Sequence, residues 1–196
     1  MARKPKVKAA IPDHYYQTIQ GWFNFTGPYR DMVANASDGA HFVEVGCWKG
    51  RSAAFLGVEI LKSGKNITLH CVDHFLGSDE EAHQLDGELP NLYKLFLKNM
   101  KPCTDAGLKL EIHELDSAGA AAQFKDASID FVWLDAGHDY PSVKADLEAW
   151  MPKVKPGGYL GGDDWPMKGV GDAVTEVVGS VDIHHENGWQ TWLKRL

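Results

Sequence analysis

The sequence has few cysteines, no long apolar run and no excess of basic residues. Its three cysteines among 196 residues, Cys47, Cys71 and Cys103, are odd in number and lie in no paired metal-binding spacing. Such a set is typical of reduced thiols in the cytoplasm, where we expect the protein to reside. No segment approaches the ~18 consecutive apolar residues of a membrane helix, so no membrane partner is expected. No apolar core follows the basic start, which argues against a secretory signal.

Basic residues are outnumbered, with 20 lysines and arginines against 27 aspartates and glutamates and a formal net charge of −7. A nucleic-acid groove needs clustered positive charge, so no nucleic-acid partner is expected. The one basic cluster lies in residues 1–10, at Arg3, Lys4, Lys6 and Lys8. We predict a flexible, solvated tail there, with a weak contact to an anionic surface as the alternative. Residues 11–196 have the length of a single domain.

Strand and helix signals alternate along the chain. The predicted strands are HFVEVG (41–46), ITLHCVD (67–73), LKLEIHELD (108–116), SIDFVWLD (128–135) and GGYLGGDD (157–164), and the predicted helices are 52–64, 92–100 and 141–154. This alternation predicts an α/β fold with a mainly parallel sheet and helices on both faces. The last segment, SVDIHHENGWQTWLKRL, predicts an antiparallel hairpin around ENG, which gives seven strands in all. Residues 11–38 are predicted to form helices before the first strand, and residues 76–106 an insertion or cap.

Polar side chains follow each of the five predicted parallel strands. They are Glu44 and Gly46, Asp73, Asp116 and Ser117, Asp135 and His138, and Asp163 and Asp164. A single aspartate after a strand is usually a cap or turn residue. Five strand ends in succession favour a binding cleft, because ligands of open α/β sheets bind outside the carboxyl ends of the strands.

The segment VEVGCWKGRS (43–52) places two glycines between the first strand and the next helix. Gly46 permits a sharp turn, and Gly50 permits a ligand or a helix to approach the backbone closely. A dinucleotide-binding loop has the pattern G-x-G-x-x-G. Here Trp48 stands where the second glycine of that pattern belongs and would crowd a pyrophosphate. The sequence also has no G-x-x-x-x-G-K-[ST], which excludes a phosphate-cradling loop.

These residues resemble the class I S-adenosylmethionine-dependent methyltransferases, in particular the small-molecule O-methyltransferases that include catechol- and macrocin-type enzymes. FVEVGCWKGRS (42–52) is similar to their first motif, and CVDHF (71–75) to the acidic end of their second strand. The segment 128–165 is the most specific match. The resemblance implies a Rossmann-like fold and S-adenosylmethionine as the cofactor.

The resemblance also implies roles for residues of the cofactor site. Asp73 would accept hydrogen bonds from the ribose hydroxyls, and Ser52 would bind the methionine carboxylate beside a helix N-terminus. Glu44 is expected near the amino-acid end of the cofactor, and Ser117, with Asp116 as a further candidate, at the adenine edge. Trp48 lies either beside the cofactor or in the core. The full predicted cofactor set is Glu44, Gly46, Trp48, Gly50, Ser52, Asp73, Asp116, Ser117 and Asp135.

In metal-using members of this branch, an aspartate after the fourth strand and an acidic or amide pair after the fifth bind a divalent cation. Asp135, Asp163 and Asp164 match those positions, and three oxygen ligands suit Mg²⁺. The alternative is that Asp163 and Asp164 only cap the following segment. His138 stands where catechol-type enzymes place a catalytic lysine, and imidazole suits a general base. Alternatively, His138 only orders the turn before the next helix.

Three segments around the predicted cleft, residues 21–25, 77–90 and 165–169, are expected to select the acceptor. Their aromatic residues Trp22, Phe23, Phe25 and Trp165 favour a cyclic, hydroxylated molecule such as a sugar or phenol. The sequence therefore predicts an O-methyltransferase for a small hydroxylated acceptor, with a divalent metal. A catalytically silent cofactor-binding or interaction domain stays open, as does a nicotinamide-dependent oxidoreductase, which the glycine spacing disfavours. The oligomeric state is also left open, a homo-oligomer included.

Overall fold

The computed structural model describes residues 9–78 and 84–196, so the predicted basic cluster and residues 79–83 of the predicted insertion lie outside it. Seven strands form one sheet: β1 (His41–Val45), β2 (Thr68–Val72), β3 (Lys109–His113), β4 (Ile129–Leu134), β5 (Val154–Gly162), β6 (Asp182–Glu186) and β7 (Trp189–Arg195). Their order is β3-β2-β1-β4-β5-β7-β6. All pairs are parallel except the two that β7 makes, with β5 and β6. The predicted mostly parallel sheet with a C-terminal hairpin is confirmed.

Helices cover both faces of the sheet. They are α1 (Thr26–Asn35), α2 (Arg51–Ser63), α3 (Leu92–Asp105), α4 (Ser117–Ala121), α5 (Tyr140–Trp150) and α6 (Lys168–Val177), with short 3-10 turns at Tyr16–Thr18, Leu89–Asn91 and Met151–Lys153. Buried side chains of α1, α2 and α3 form one core cluster and those of α4, α5 and α6 a second. None of the helices in the described part combines the length and apolarity that a membrane crossing requires.

The central strands read as continuous apolar runs because both of their faces are buried. In β4, Phe131 and Trp133 pack into the core on the α1–α3 side, whereas Val132 and Leu134 pack into the core on the α4–α6 side. The three cysteines are buried and free, which agrees with the prediction of reduced thiols. Burial raises the pKa of the Cys47 thiol well above its usual range, so it stays protonated and is a poor nucleophile.

The segment before β1 contains one regular helix and one 3-10 turn. The N-cap position of α1, Phe25, has no side-chain oxygen to accept a hydrogen bond from the first turn. The carboxylate of Glu186 at the end of β6 does this instead, accepting hydrogen bonds from Thr26 Oγ1 at 2.5 Å and from the Gly27 amide at 2.9 Å. Strand β6 is thereby linked to α1.

Helix α3 lies within the range predicted as an insertion or cap, and it packs against the core. Leu92, Phe96 and Met100 are buried along one face of α3. Just before it, the buried ammonium of Lys49 pairs with the carboxylates of Asp86 at 2.5 Å and Glu88 at 2.8 Å. The ion pairs attach residues 86–88 to the loop between β1 and α2.

Candidate functional site

A cleft of about 1370 Å³ opens at the carboxyl ends of the parallel strands. Its volume exceeds the 300–1,000 Å³ typical of a site for one small ligand, so it has room for a cofactor and an acceptor together. Nine of the predicted site residues line it: Gly46, Trp48, Ser52, Asp73, Ser117, Asp135, His138, Asp163 and Asp164. Glu44, Gly50 and Asp116 are not among the lining residues.

The turn after β1 requires glycine at position 46. Its backbone has a φ of +89°, and a Cβ added there would lie 1.8 Å from the Asp135 carbonyl oxygen. The Gly46 amide donates to Val72 O at 2.9 Å and the Asp135 amide to Val45 O at 2.9 Å, so three strand ends meet at this point. At Gly50 the close neighbour is a helix, which is one of the two alternatives that the sequence left open. A Cβ at Gly50 would meet the Phe96 ring of α3 at 3.0 Å.

Asp73 holds the glycine loop from the end of β2. Its Oδ2 accepts a hydrogen bond from the Trp48 amide at 2.7 Å, and its Oδ1 accepts one from the Phe75 amide at 2.6 Å. Burial raises the pKa of this carboxyl, and the two backbone donors oppose that shift. A carboxylate has about four lone-pair sites, so each oxygen retains capacity for a ribose hydroxyl.

Glu44 lies beneath the cleft rather than on its wall. The side chain is fully buried, and its Oε1 accepts a hydrogen bond from Ser52 Oγ at 2.5 Å. Burial raises the pKa of Glu44 to about 7. Ser52 does line the cleft, so Glu44 faces the cofactor region through the Ser52 hydroxyl.

The two predicted site residues after β3 have different roles: Asp116 caps a helix and Ser117 lines the cleft. The Asp116 carboxylate is the N-cap of α4 and accepts a hydrogen bond from the Gly119 amide at 2.6 Å. Ser117 lines the cleft, and its Oγ accepts a hydrogen bond from Trp150 Nε1 at 2.9 Å. Of the two candidates for the adenine edge, Ser117 is therefore the one on the cleft wall.

The acidic end of the cleft brings Asp135, His138 and Asp164 together. Their ligating atoms all lie within 4.8 Å of one another, and His138 Nε2 is 2.7 Å from Asp164 Oδ2. Asp163 is not in this group. Its Oδ1 is buried without a hydrogen-bond partner among the described residues, and burial and the Asp164 charge raise its pKa to about 7.

The donor set Asp135, His138 and Asp164 fits a divalent cation but differs from the predicted set of three aspartates. Two carboxylates and an imidazole suit a borderline transition-metal ion better than Mg²⁺, which prefers oxygen ligands throughout. Asp163 and Asp164 are adjacent, but Asp164 has a left-handed backbone with a φ of 58°. With this backbone conformation, Asp164 belongs to the group with Asp135 and His138, whereas its neighbour Asp163 does not. The spacing of the two residues in the sequence does not reveal this difference.

A match between the sequence and a domain profile shows the family of the protein. The profile described as a methyltransferase domain matches residues 43–165, from β1 to just beyond β5. The chain belongs to this family of methyltransferase domains. The fold of this methyltransferase is that of S-adenosylmethionine-dependent methyltransferases, which supports the predicted cofactor. No curated protein matches the sequence.

Solved structures share the fold of the methyltransferase at low sequence identity. CalS11, a TDP-rhamnose 3′-O-methyltransferase of calicheamicin biosynthesis, has a TM-score of 0.56 and 18% identity, covering 87% of this chain and 76% of its own. The O-methyltransferase NovP has a TM-score of 0.59 and 18% identity, covering 87% and 78%. The "putative rRNA-methylase" from Clostridium thermocellum has a TM-score of 0.62 and 12% identity, covering 90% and 100%. These similarities concern the fold, and the acceptors named differ.

Two cleft residues of the methyltransferase were missed by the sequence analysis. Arg51, the first residue of α2, lines the cleft, and its Nη1 donates to the Gly21 carbonyl at 2.6 Å. Asp146 on α5 also lines it, and burial raises its pKa to about 6. Asp146 stands four residues after Ser142, another lining residue, so helical periodicity from the start of α5 is the signal that points to it.

The segments expected to select the acceptor contribute unequally to the cleft. Trp22 and Met167 line it with 57% and 39% of their surfaces exposed. Leu76, one residue before the segment 77–90, also lines it and is 75% exposed. Phe23 and Phe25 are instead buried in the core. We call Trp22, Leu76 and Met167 the apolar rim; Leu115, 37% exposed, is a further apolar side chain of the cleft lining.

Proposed function

We propose that this methyltransferase transfers a methyl group to a hydroxyl oxygen of a small cyclic acceptor, with His138 as the general base. The observation that carries the proposal is the His138–Asp164 pair in the cleft, with 2.7 Å between Nε2 and Oδ2. A carboxylate that accepts the Nε2 proton leaves Nδ1 as the basic nitrogen and fixes the imidazole tautomer. His138 then takes the hydroxyl proton as the acceptor oxygen bonds to the methyl carbon and the carbon–sulfur bond breaks.

Carboxylates around the cleft suit a cationic cofactor. When bound, S-adenosylmethionine supplies a methyl group on a positively charged sulfur. Asp73 is oriented by two backbone amides and can accept hydrogen bonds from the ribose hydroxyls. Ser52 lies at the start of α2, where backbone amides and the helix dipole favour a carboxylate such as that of the methionine moiety. Glu44 orients the Ser52 hydroxyl from below.

A divalent cation is a second way to activate the same hydroxyl. Asp135, His138 and Asp164 would hold it, and it would act as a Lewis acid that lowers the pKa of the acceptor hydroxyl. His138 would then be a ligand and no longer a base. The two chemistries therefore exclude each other at this imidazole and differ in their response to a chelator.

The acceptor class follows from the rim and the charge of the protein. Trp22, Leu76 and Met167 offer apolar surface to one face of a ring, and Trp is well suited to stacking. The net charge of −7 disfavours a polyanion such as RNA. CalS11 methylates a sugar, which supports sugars as the first acceptors to examine.

The test is methyl transfer to a panel of sugars and phenols, followed by mass spectrometry, with and without chelator. His138→Ala should lower turnover by about 10²–10⁴ and leave affinity for S-adenosylmethionine nearly unchanged, because a positioned base acts in the transition state. His185→Ala, an exposed histidine on β6, is the matched control.

Full activity of the His138→Ala variant would contradict the role of His138. Loss of activity in chelator, restored by a transition-metal ion, would replace the base with the metal. Calorimetry that shows cofactor binding without transfer to any acceptor would favour a silent cofactor-binding domain, and tight NADH binding would favour an oxidoreductase.

A further inference from the structure

Three histidines cross one face of the sheet outside the cleft. His41 on β1, His70 on β2 and His113 on β3 form a diagonal row, with His41 Nδ1 2.9 Å from His70 Nε2 and His70 Nδ1 3.2 Å from His113 Nε2. His70 is 4% exposed and, like His113, packs against the Phe124 ring. None of the three lines the cleft.

Glu111 completes a set of three ligand atoms around one point. Its Oε2 is 3.4 Å from His70 Nδ1, and the ligating atoms of His70, Glu111 and His113 all lie within 4.8 Å of one another. In a tetrahedral site with bonds of about 2.0–2.1 Å, neighbouring ligand atoms are about 3.3–3.4 Å apart. The separations of 3.2 and 3.4 Å from His70 Nδ1 match that spacing.

We propose that His70, Glu111 and His113 form a second metal site, which binds Zn²⁺ or a similar borderline divalent ion. Two imidazoles and one carboxylate are a zinc donor set, and the fourth position is open to water. Mg²⁺ and Ca²⁺ are excluded as the preferred ions because they take oxygen ligands. The Glu111 side chain is 62% exposed, so the ion enters from the solvent side while His70 holds it from within.

The outer nitrogens of both ligating histidines already have partners of the kind that metal-bound histidines use. His113 Nδ1 faces Gln123 Oε1 at 3.2 Å, and His70 Nε2 faces His41 Nδ1. With the ion bound, His70 carries its proton on Nε2 and donates it to His41, and His113 donates from Nδ1 to Gln123. In this arrangement only the tautomers of His70 and His41 change. Outer-shell partners of this kind tune metal affinity by 10–100-fold.

The site links the edge strand β3 to β2 close to the cleft. Strand β3 pairs only with β2 in the described sheet, and it ends three residues before Asp116, the N-cap of α4. A bound ion would fix the end of β3 and with it the start of the segment that carries Ser117. We therefore expect Zn²⁺ to raise the melting temperature of the protein.

The experiment measures Zn²⁺ binding by calorimetry and by metal analysis after dialysis. It uses the full chain with Asp164→Asn, which removes one of the three donors of the cleft group and so weakens metal binding there. One equivalent of Zn²⁺ should bind and raise the melting temperature. Glu111→Gln and His113→Ala in that background should each lower the affinity by more than about 100-fold, since each removes a direct ligand. His41→Phe, which keeps a ring beside His70 but removes the acceptor, should lower it by about 10–100-fold.

His185→Ala is the control for general histidine binding and should leave the affinity unchanged. Circular dichroism and binding of S-adenosylmethionine show that each variant is folded, and exposed Glu111 makes Glu111→Gln the safest of them. The proposal is overturned if no Zn²⁺ binds in the Asp164→Asn background. It is equally overturned if Glu111→Gln and His113→Ala bind Zn²⁺ as tightly as their parent.

Discussion

At the scale of single residues, Gly46 joins the backbone of the sheet to the cofactor cleft. Its left-handed backbone turns the chain from β1 into the glycine loop, and its missing side chain lets the Asp135 carbonyl approach. Asp135 is itself a member of the acidic group with His138 and Asp164. One glycine therefore sets the distance between the loop that holds Trp48 and Ser52 and the group that contains His138.

Gly46→Ala is expected to destabilise the protein far more than Gly39→Ala. Both glycines have a positive φ, +89° and +83°, but a Cβ at Gly39 meets no atom within 4 Å. Gly39→Ala should cost about 1–2 kcal/mol of backbone strain alone. Gly46→Ala should exceed about 4 kcal/mol because the ends of β1 and β4 must separate. Equal losses in urea denaturation would show that the contact with Asp135 relaxes easily.

Glu44 makes the stability of the protein depend on pH. Burial raises its pKa from an ordinary 4.5 to about 7, so between these values the folded state keeps a proton that the unfolded state has lost. Its contribution to stability therefore falls as pH rises through that window. Glu44→Gln has no such dependence. From pH ~5.5 to pH ~8.5, the variant should gain about 2 kcal/mol relative to the wild type, at 1.36 kcal/mol per pKa unit.

Thermal or urea unfolding at both pH values measures this difference. Glu148→Gln, the same substitution at an exposed position of α5, provides the matched control. A constant difference between Glu44→Gln and the wild type across pH would mean that Glu44 is already ionised in the folded protein.

At the scale of secondary-structure elements, the contact between β6 and α1 joins distant parts of the sequence. Glu186 accepts two hydrogen bonds from the first turn of α1, which has no cap of its own. The negative charge also lies at the positive end of the helix dipole. Glu186 thus replaces the side-chain cap that the sequence before α1 lacks.

Glu186→Gln should lower the free energy of unfolding by about 1–2 kcal/mol, because charge-assisted hydrogen bonds to the helix N-terminus are weakened. Thr26→Val should cost about 1 kcal/mol by removing one donor. In urea denaturation the double variant should lose less than the sum of the two, since both substitutions act on the same hydrogen bond. Strictly additive losses would indicate that the Thr26–Glu186 contact does not contribute.

At the scale of the whole molecule, the parallel strands, the C-terminal hairpin and the position of the cleft could be predicted, because strands buried on both faces leave a strong pattern in the sequence. Gly46 and Asp73 directly follow such strands in the sequence, so their position at the cleft could be predicted with the strands. Residues that reach the cleft only through the direction of their side chains could not be predicted in this way. Arg51 and Asp146 line the cleft from helix faces, and the grouping of Asp164 with His138 accompanies a left-handed turn that spacing does not encode.

The same distinction explains the aromatic residues before α1. Trp22, Phe23 and Phe25 lie close together in the sequence, yet only Trp22 is on the apolar rim. Phe25 packs against Trp133 in the core, with 4.7 Å between ring centroids. The sequence shows that this segment is aromatic, but it has no regular periodicity from which to predict which ring faces the cleft. The packing of the folded segment determines that.

The place of β7 between β5 and β6 has a consequence for synthesis on the ribosome. Strand β6 is translated before β7 but reaches the sheet only through β7. While the nascent chain carries β6 alone, the edges of both β5 and β6 are unpaired, and unpaired strand edges invite association with other chains. Strand β6 therefore joins the sheet only after β7 has been made, and a chaperone that shields unpaired strand edges should raise the soluble yield of this protein.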